Sequence, residues 1–177
     1  MSGYEQAWVQ RAWEQVEKDF RDRRFLPRNE YDIQAHLYHS MFLLKQDYAP
    51  SLDLQLTLEW RDVDLAVVQA PSDQPSMLIE IKETHTAAGP VRGAREGIGK
   101  WFMDKLQGDI WKLKSLVGEF TLAKPFMVFL FRGAQQEGIQ NDTLTVCSEF
   151  ASEIANEGVT LLYGPKPLAE KKNTLTY

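Results

Sequence analysis

Asp64, Glu80 and Lys82 are the residues of this chain whose types and spacing could do chemistry. They lie in two apolar runs, Asp62-Val63-Asp64-Leu65-Ala66-Val67-Val68 and Met77-Leu78-Ile79-Glu80-Ile81-Lys82. A Pro/Ser-rich stretch, residues 71–76, separates the runs and reads as a turn. In an extended strand side chains alternate faces, so Met77, Ile79 and Ile81 share one side while Leu78, Glu80 and Lys82 share the other. The run after Asp64 is almost continuously apolar, the pattern of a strand covered on both faces, which puts Asp64 at its mouth. A carboxylate entering a sheet interior has its charged form disfavoured unless it is paired, hydrogen-bonded or bound to a metal. Two acids and one base brought together can compensate one another as a plain ion pair, or can hold a divalent cation. Asp62 shares the face of Asp64 nearer the turn and is the second choice for the acid.

The elements that must position these groups follow from periodicity. Ser2 and Glu5 have capping-box spacing, and Tyr4, Trp8, Ala12, Val16 and Phe20 recur every four residues, predicting a helix over about 3–22. The cluster Arg21, Arg23, Arg24 and Arg28 could touch phosphates or simply complete a basic helix end. Asn29 is a candidate N-cap for a second helix from Glu30 to about Lys45, with Ile33, Leu37, Met41 and Leu44 as its buried stripe. Glu30 shares that face and points toward the sheet, as a site acid or as a first-turn partner of the helix dipole. His36 and His39 read as surface or boundary residues rather than ligands. Residues 52–60 alternate strictly, predicting a strand with one buried and one wet face.

Residues 85–99, with four glycines around Arg92 and Arg95, read as a loop, either slack or a flap that brings arginines to phosphates. They are not a phosphate-binding loop, because Gly97-Ile98-Gly99-Lys100 lacks the full spacing and is followed by Trp101 where a hydroxyl is needed. Ile98, Phe102, Leu106, Ile110, Leu113 and Val117 mark a long amphipathic helix. On it Lys105, Asp109 and Lys112 form one polar stripe and Gln107 with Trp111 an adjacent one. Residues 125–132 predict a buried strand, parallel to a neighbour because a crossover helix precedes it. Asp142 is a candidate cap for a helix through Leu144, Cys147, Phe150 and Ile154, and residues 159–163 predict a last strand. The expected fold class is α/β (α+β): a central mixed sheet flanked by helices in the order α-α-β-β-β-α-β-α-β.

An acid on an early helix, an Asp entering the second strand and Glu-x-Lys in the third resemble the PD-(D/E)XK nuclease superfamily, the restriction-endonuclease-like fold. Here the match is Glu30, Asp64 and Glu80-Ile81-Lys82, and the order of elements extends it over residues 28 to 132. Val63 stands where the superfamily's name has proline. Gln107-x-x-x-Trp111 resembles the Gln-x-x-x-Tyr element of recombination-exonuclease relatives, with the tyrosine replaced.

The resemblance implies a metal-dependent nuclease that hydrolyses phosphodiester bonds of nucleic acid, DNA foremost, with Mg²⁺ as cofactor and Mn²⁺ as a substitute. It implies Asp64 and Glu80 as ligands with the Ile81 carbonyl as a third, and Lys82 orienting or deprotonating the attacking water. Glu30 would be a further ligand or an outer-shell acid. Gln107, Lys112, Arg92 and Arg95 are the expected substrate contacts. A dimer or a larger assembly is the expected setting. The superfamily's architecture also hosts inactive members, so the alternative is a binding or assembly subunit that keeps only the shell of the fold.

Composition sets the bounds. At 177 residues and 44% hydrophobic the chain suits a single domain, 1–177, with a core over about 28–164 and a loosely ordered tail over 165–177. A net charge of −5 argues against coating nucleic acid by bulk electrostatics, yet residues 82–132 hold nine Lys/Arg against five Asp/Glu. No apolar run is long enough to cross a bilayer, Glu5, Arg11, Glu14 and Glu17 interrupt any signal-peptide core, and one cysteine, Cys147, allows no internal disulfide. A cytoplasmic protein with no membrane partner is the expectation. No zinc finger or helix-turn-helix accompanies the core.

Overall fold

The computed structural model describes residues 3–50, 53–84, 94–135 and 138–167, with backbone alone for residues 94–105. Two helices, α1 (Tyr4–Arg21) and α2 (Glu30–Tyr48), lead into three strands, β1 (Leu54–Trp60), β2 (Val63–Gln69) and β3 (Gln74–Thr84). The long helix α3 (Ala94–Glu119) crosses to β4 (Lys124–Phe131), and after a 3₁₀ turn at Arg132–Ala134 come α4 (Asn141–Asn156) and β5 (Thr160–Gly164). The fold is α+β, with one five-stranded mixed sheet in the order β1-β2-β3-β4-β5. The first three strands form an antiparallel meander, and β4 and β5 run parallel to β3 and to each other. Parallel neighbours need crossovers, and α3 and α4 supply them. No helix among the described residues is long and apolar enough to cross a membrane.

The alternation of the central strands builds two apolar layers. Leu65 and Val67 of β2, Met77, Ile79 and Ile81 of β3, and Phe126, Val128 and Leu130 of β4 meet Trp8, Val16, Ile33, Leu37 and Met41 from α1 and α2. On the opposite face Ala66, Val68, Leu78, Met127 and Phe129 meet Leu106, Ile110 and Leu113 of α3 and Cys147, Phe150 and Ile154 of α4. Trp8 ties its two helices together by donating its indole N–H to the Met41 carbonyl at 2.9 Å. Asn29 caps α2 as expected, its side chain accepting from the Asp32 amide at 3.1 Å.

Several boundaries differ from expectation. Leu58, predicted on the buried face of β1, is exposed, because an edge strand is covered only where a helix reaches it. β3 starts at Gln74, inside the predicted turn; Pro75 is accommodated opposite Val68, where the ladder shifts register and one amide is not needed. Residues 94–99 are helical rather than loop, so Arg95 sits in the first turn of α3, Gly97 and Gly99 being carried by a 26-residue helix. The rest of the predicted flap, with Arg92, lies outside the described residues, as do Ser2 and positions 168–177. Asp142 lies inside the first turn of α4, whose N-cap is Gln140.

The tail is not loose where it begins. The Lys166 amide donates to Glu17 Oε1 at 2.8 Å, Arg21 donates to the Lys166 carbonyl at 2.8 Å, and the Pro165 carbonyl accepts from the Ile139 amide at 3.0 Å. Arg21 is thereby committed to a backbone contact and Arg28 to Asp32, which accounts for two of the four arginines in the basic cluster.

Candidate active site between the splayed strands

The paired register of β2 and β3 ends at Leu65↔Ile79, whereas β3 continues beside β4 to Thr84↔Phe131. Beyond Ile79 the β2-side edge of β3 has left its ladder. The side chain of Asp64 takes that place: its Oδ2 accepts the Ile81 amide at 2.6 Å. In an extended strand the N–H and C=O of one residue point to the same side, so the Ile81 carbonyl faces the same opening.

Glu80 and Lys82 project together from β3, as their spacing requires. Glu80 is 1% exposed. The Lys82 ammonium lies 3.9 Å from Glu80 Oε2, 3.3 Å from Asp109 Oδ2 and 3.7 Å from Glu30 Oε2. It therefore joins the two layers, reaching α3 on its own face and the start of α2 from the other. A second ammonium, Lys112 one turn on from Asp109, lies 2.5 Å from Glu80 Oε1, 3.7 Å from Asp109 Oδ1 and 2.7 Å from the Asp62 carbonyl. This ammonium is the cation that faces the buried Oε1 most closely and opposes the cost of its charge.

Among the described residues four carboxylates and two ammonium groups thus come together, and their protonation reflects it. Burial lifts the Glu80 carboxyl to about 7, with Asp64 and Asp109 adding to the rise and Lys112 opposing it. Burial also raises Asp64 above its ordinary value, against the pull of the Ile81 amide, Lys82 and Lys112. For Lys82 burial disfavours the charge, but Asp109, Glu30, Asp64 and Glu80 together outweigh it and hold the ammonium above the usual lysine range.

The sequence-predicted set divides. Asp64, Glu80, Lys82, Glu30 and Lys112 come together. Gln107 does not: it lines a separate surface cavity with Ile110, Trp111, Lys114, Glu153, Ile154 and Glu157, because position 107 lies on the α4 side of α3. Asp62 is exposed in the β1–β2 turn and offers its carbonyl rather than its carboxylate. Arg92 and the side chain of Arg95 lie outside the described residues. His36 is no site residue, being stacked on Phe25 at 4.2 Å between ring centroids and paired with Asp19.

Two participants were missed as site residues. Asp109 sits three residues before Lys112 on the stripe that faces the pocket, and that spacing was the available signal. Gln34, one turn after Glu30 on the same helix face, is buried and donates its amide to the Asp64 carbonyl and to Glu59 Oε1.

The donor set is hard oxygen: the buried carboxylate of Glu80, the half-buried one of Asp64 and a backbone carbonyl on one edge. Among the described residues no group of three His, Cys, Asp or Glu side chains is gathered to hold an ion. That composition fits magnesium, which keeps several waters and needs one or two carboxylates, better than zinc or calcium. Among the described residues the charge fits as well, since with all groups ionised the four acids exceed the two ammonium groups by two negative charges. Compared with protein-family models, with curated proteins and with solved structures, the chain finds no match.

Proposed function

We propose that this protein is a metal-dependent nuclease of the PD-(D/E)XK type that hydrolyses phosphodiester bonds, with DNA as the foremost substrate and the cytoplasm as its setting. The observation that carries the reading is the meeting of Asp64, Glu80 and Lys82 where β2 leaves β3, with Glu80 fully buried and its carboxyl lifted to about 7. A carboxyl buried this deeply beside other acids and lifted toward neutrality supports a functional role over a purely structural one.

Asp64 and Glu80, with the Ile81 carbonyl, would hold Mg²⁺, or Mn²⁺ in its place. A divalent cation bound there supplies charge neutralisation at the phosphate and a water acidic enough to attack near neutral pH. Lys82, its charge fixed by Glu30, Asp109 and Glu80, orients the water and counters charge growing on the phosphoryl oxygens. Holding a proton this firmly makes Lys82 a positioning group rather than a base. Lys112, half-exposed at the mouth, supplies a cation for the phosphate backbone.

One observation favours a second reading. Lys112 is already paired with Glu80, so the cluster also works as a structural ion network in a non-catalytic binding or assembly subunit. Labelled single- and double-stranded DNA and RNA, incubated with Mg²⁺, Mn²⁺ or chelator, separate the two. Cleavage that requires metal and is lost in Glu80→Ala and Lys82→Ala supports the nuclease; no cleavage and no Mn²⁺ binding by calorimetry supports the binding subunit.

A further inference from the structure

The end of β1 and the turn into β2 hold three non-glycine residues in the left-handed region: Glu59 at φ 51°, Arg61 at φ 46° and Asp62 at φ 65°. Such backbone is costly for residues with a Cβ, and it persists only where surrounding contacts over-determine it. Each of the three is tethered to a helix. The carboxylate of Glu59 accepts from Gln34 of α2 at 2.6 Å. Arg61 donates to Glu119 at the end of α3 at 2.6 Å while its guanidinium stacks over Trp60 and Phe120. The Asp62 carbonyl accepts from Lys112 at 2.7 Å. Two residues further on is Asp64.

We infer that Gln34 is a positioning residue, whose buried side-chain amide fixes the backbone of Asp64 and so aims the Asp64 carboxylate across the gap between β2 and β3. One amide nitrogen has two hydrogens, and both are used here: one goes to the Glu59 carboxylate, the other to the Asp64 carbonyl. Both are donated from α2, the helix that also carries Glu30. Gln34 thus couples the turn, the Asp64 backbone and the Glu30 helix at one point. It is 6% exposed, so it has no solvent to turn to, and a side chain without donors at that place leaves the Asp64 carbonyl and the strained Glu59 without their partner. Partners one step behind a ligand set its orientation, and losing one typically costs ten- to a hundredfold in metal affinity.

The inference rests on the metal-site reading, and the test keeps the two apart. The full-length protein is compared as wild type, Gln34→Met, which keeps length and loses both donors, and Glu59→Ala, which frees Gln34 to serve Asp64 alone. Two quantities are read: the Mn²⁺ affinity by calorimetry, and the resonance and exchange rate of the Ile81 amide, which reports directly on the bond it donates to Asp64 without any metal.

Gln34→Met is expected to weaken Mn²⁺ binding about tenfold or more and to speed Ile81 amide exchange, with Glu59→Ala, which keeps the bond to the Asp64 carbonyl, affected clearly less in both. An Ile81 amide unmoved in Gln34→Met overturns the positioning role, as does equal weakening in Glu59→Ala. Absence of Mn²⁺ binding in the wild type overturns the nuclease reading and leaves the Ile81 amide to decide on Gln34. Should Gln34→Met fail to fold, Gln34→Asn, one methylene too short to reach both partners, makes the same comparison.

Discussion

Glu80→Gln is expected to stabilise the metal-free protein at alkaline pH and to abolish the proposed metal-dependent cleavage. The magnitude follows from the pocket. Glu80 is 1% exposed, and its carboxyl is lifted from 4.5 to about 7, burial being the largest cause. A rise of that size means the ionised form costs about 3 kcal/mol in the folded state relative to the unfolded chain, the attraction of Lys112 already being included.

The pH dependence has a definite sign. Below 4.5 folded and unfolded chains both keep the proton and Glu80 contributes no slope. Between 4.5 and about 7 the unfolded chain releases its proton first, so stability falls as pH rises, and above about 7 the whole cost is present. A neutral amide of the same shape escapes this cost. For a chain of this length the gain corresponds to a melting temperature higher by about 6–12 °C at pH 8.

The assay is thermal unfolding of both proteins in chelator at pH 4, 6 and 8, followed by circular dichroism or calorimetry. The gap should open from near zero at pH 4 to its full size at pH 8, and saturating Mg²⁺ should raise the wild type alone. A gap that is the same at every pH, or a variant less stable than wild type at pH 8, refutes the account of Glu80 as a carboxylate held at a cost.

Other expectations are more local. Lys112→Met removes the cation nearest Glu80 and leaves Asp64 and Asp109 beside it, so the Glu80 carboxyl should titrate above its wild-type value. A carboxyl-carbon NMR titration giving an unchanged or lower value would count against the assigned contacts. Gly164→Ala places a methyl 2.0 Å from Glu17 Oε1, and Glu17 is buried and held by the Lys166 amide, so it cannot swing aside freely. Overpacking of this kind costs about 1–3 kcal/mol, and a wild-type melting curve for the variant would contradict it. Cys147 is fully buried and its thiol is pushed up to about 12, so a thiol reagent at pH 8 should label it only after denaturant is added. Labelling of the native protein at the rate of a free thiol would show that the α4 layer opens.

Much of this protein is written in local periodicity. Two-residue alternation put Glu80 and Lys82 on one face of β3, and the helical repeat put Glu30 on the face of Ile33 and Leu37, because backbone stereochemistry alone sets those directions. The unbroken apolar character of residues 65–68 and 126–131 likewise declared central strands covered on both sides. The buried stripe and cap of α2 needed no tertiary knowledge either.

What periodicity cannot say is which other element arrives opposite a given face, since that depends on the packing of segments far apart in the chain. Asp109 and Lys112 rather than Gln107 meet Glu80 because the apolar stripe of Leu106, Ile110 and Leu113 fixes the rotation of α3 on the sheet. Nothing local to residues 62–64 announces that β2 parts from β3 after Leu65 and Ile79, or that a glutamine of α2 grips the Asp64 backbone. Nor does the polar sequence from Gly164 onward reveal that Glu17, almost the whole chain away, receives it. The sequence by itself determined the chemical groups and the faces that carry them. Only tertiary packing decided that four acids and two ammonium groups share one pocket, because their attraction is felt only after the apolar layers have set the distances between them.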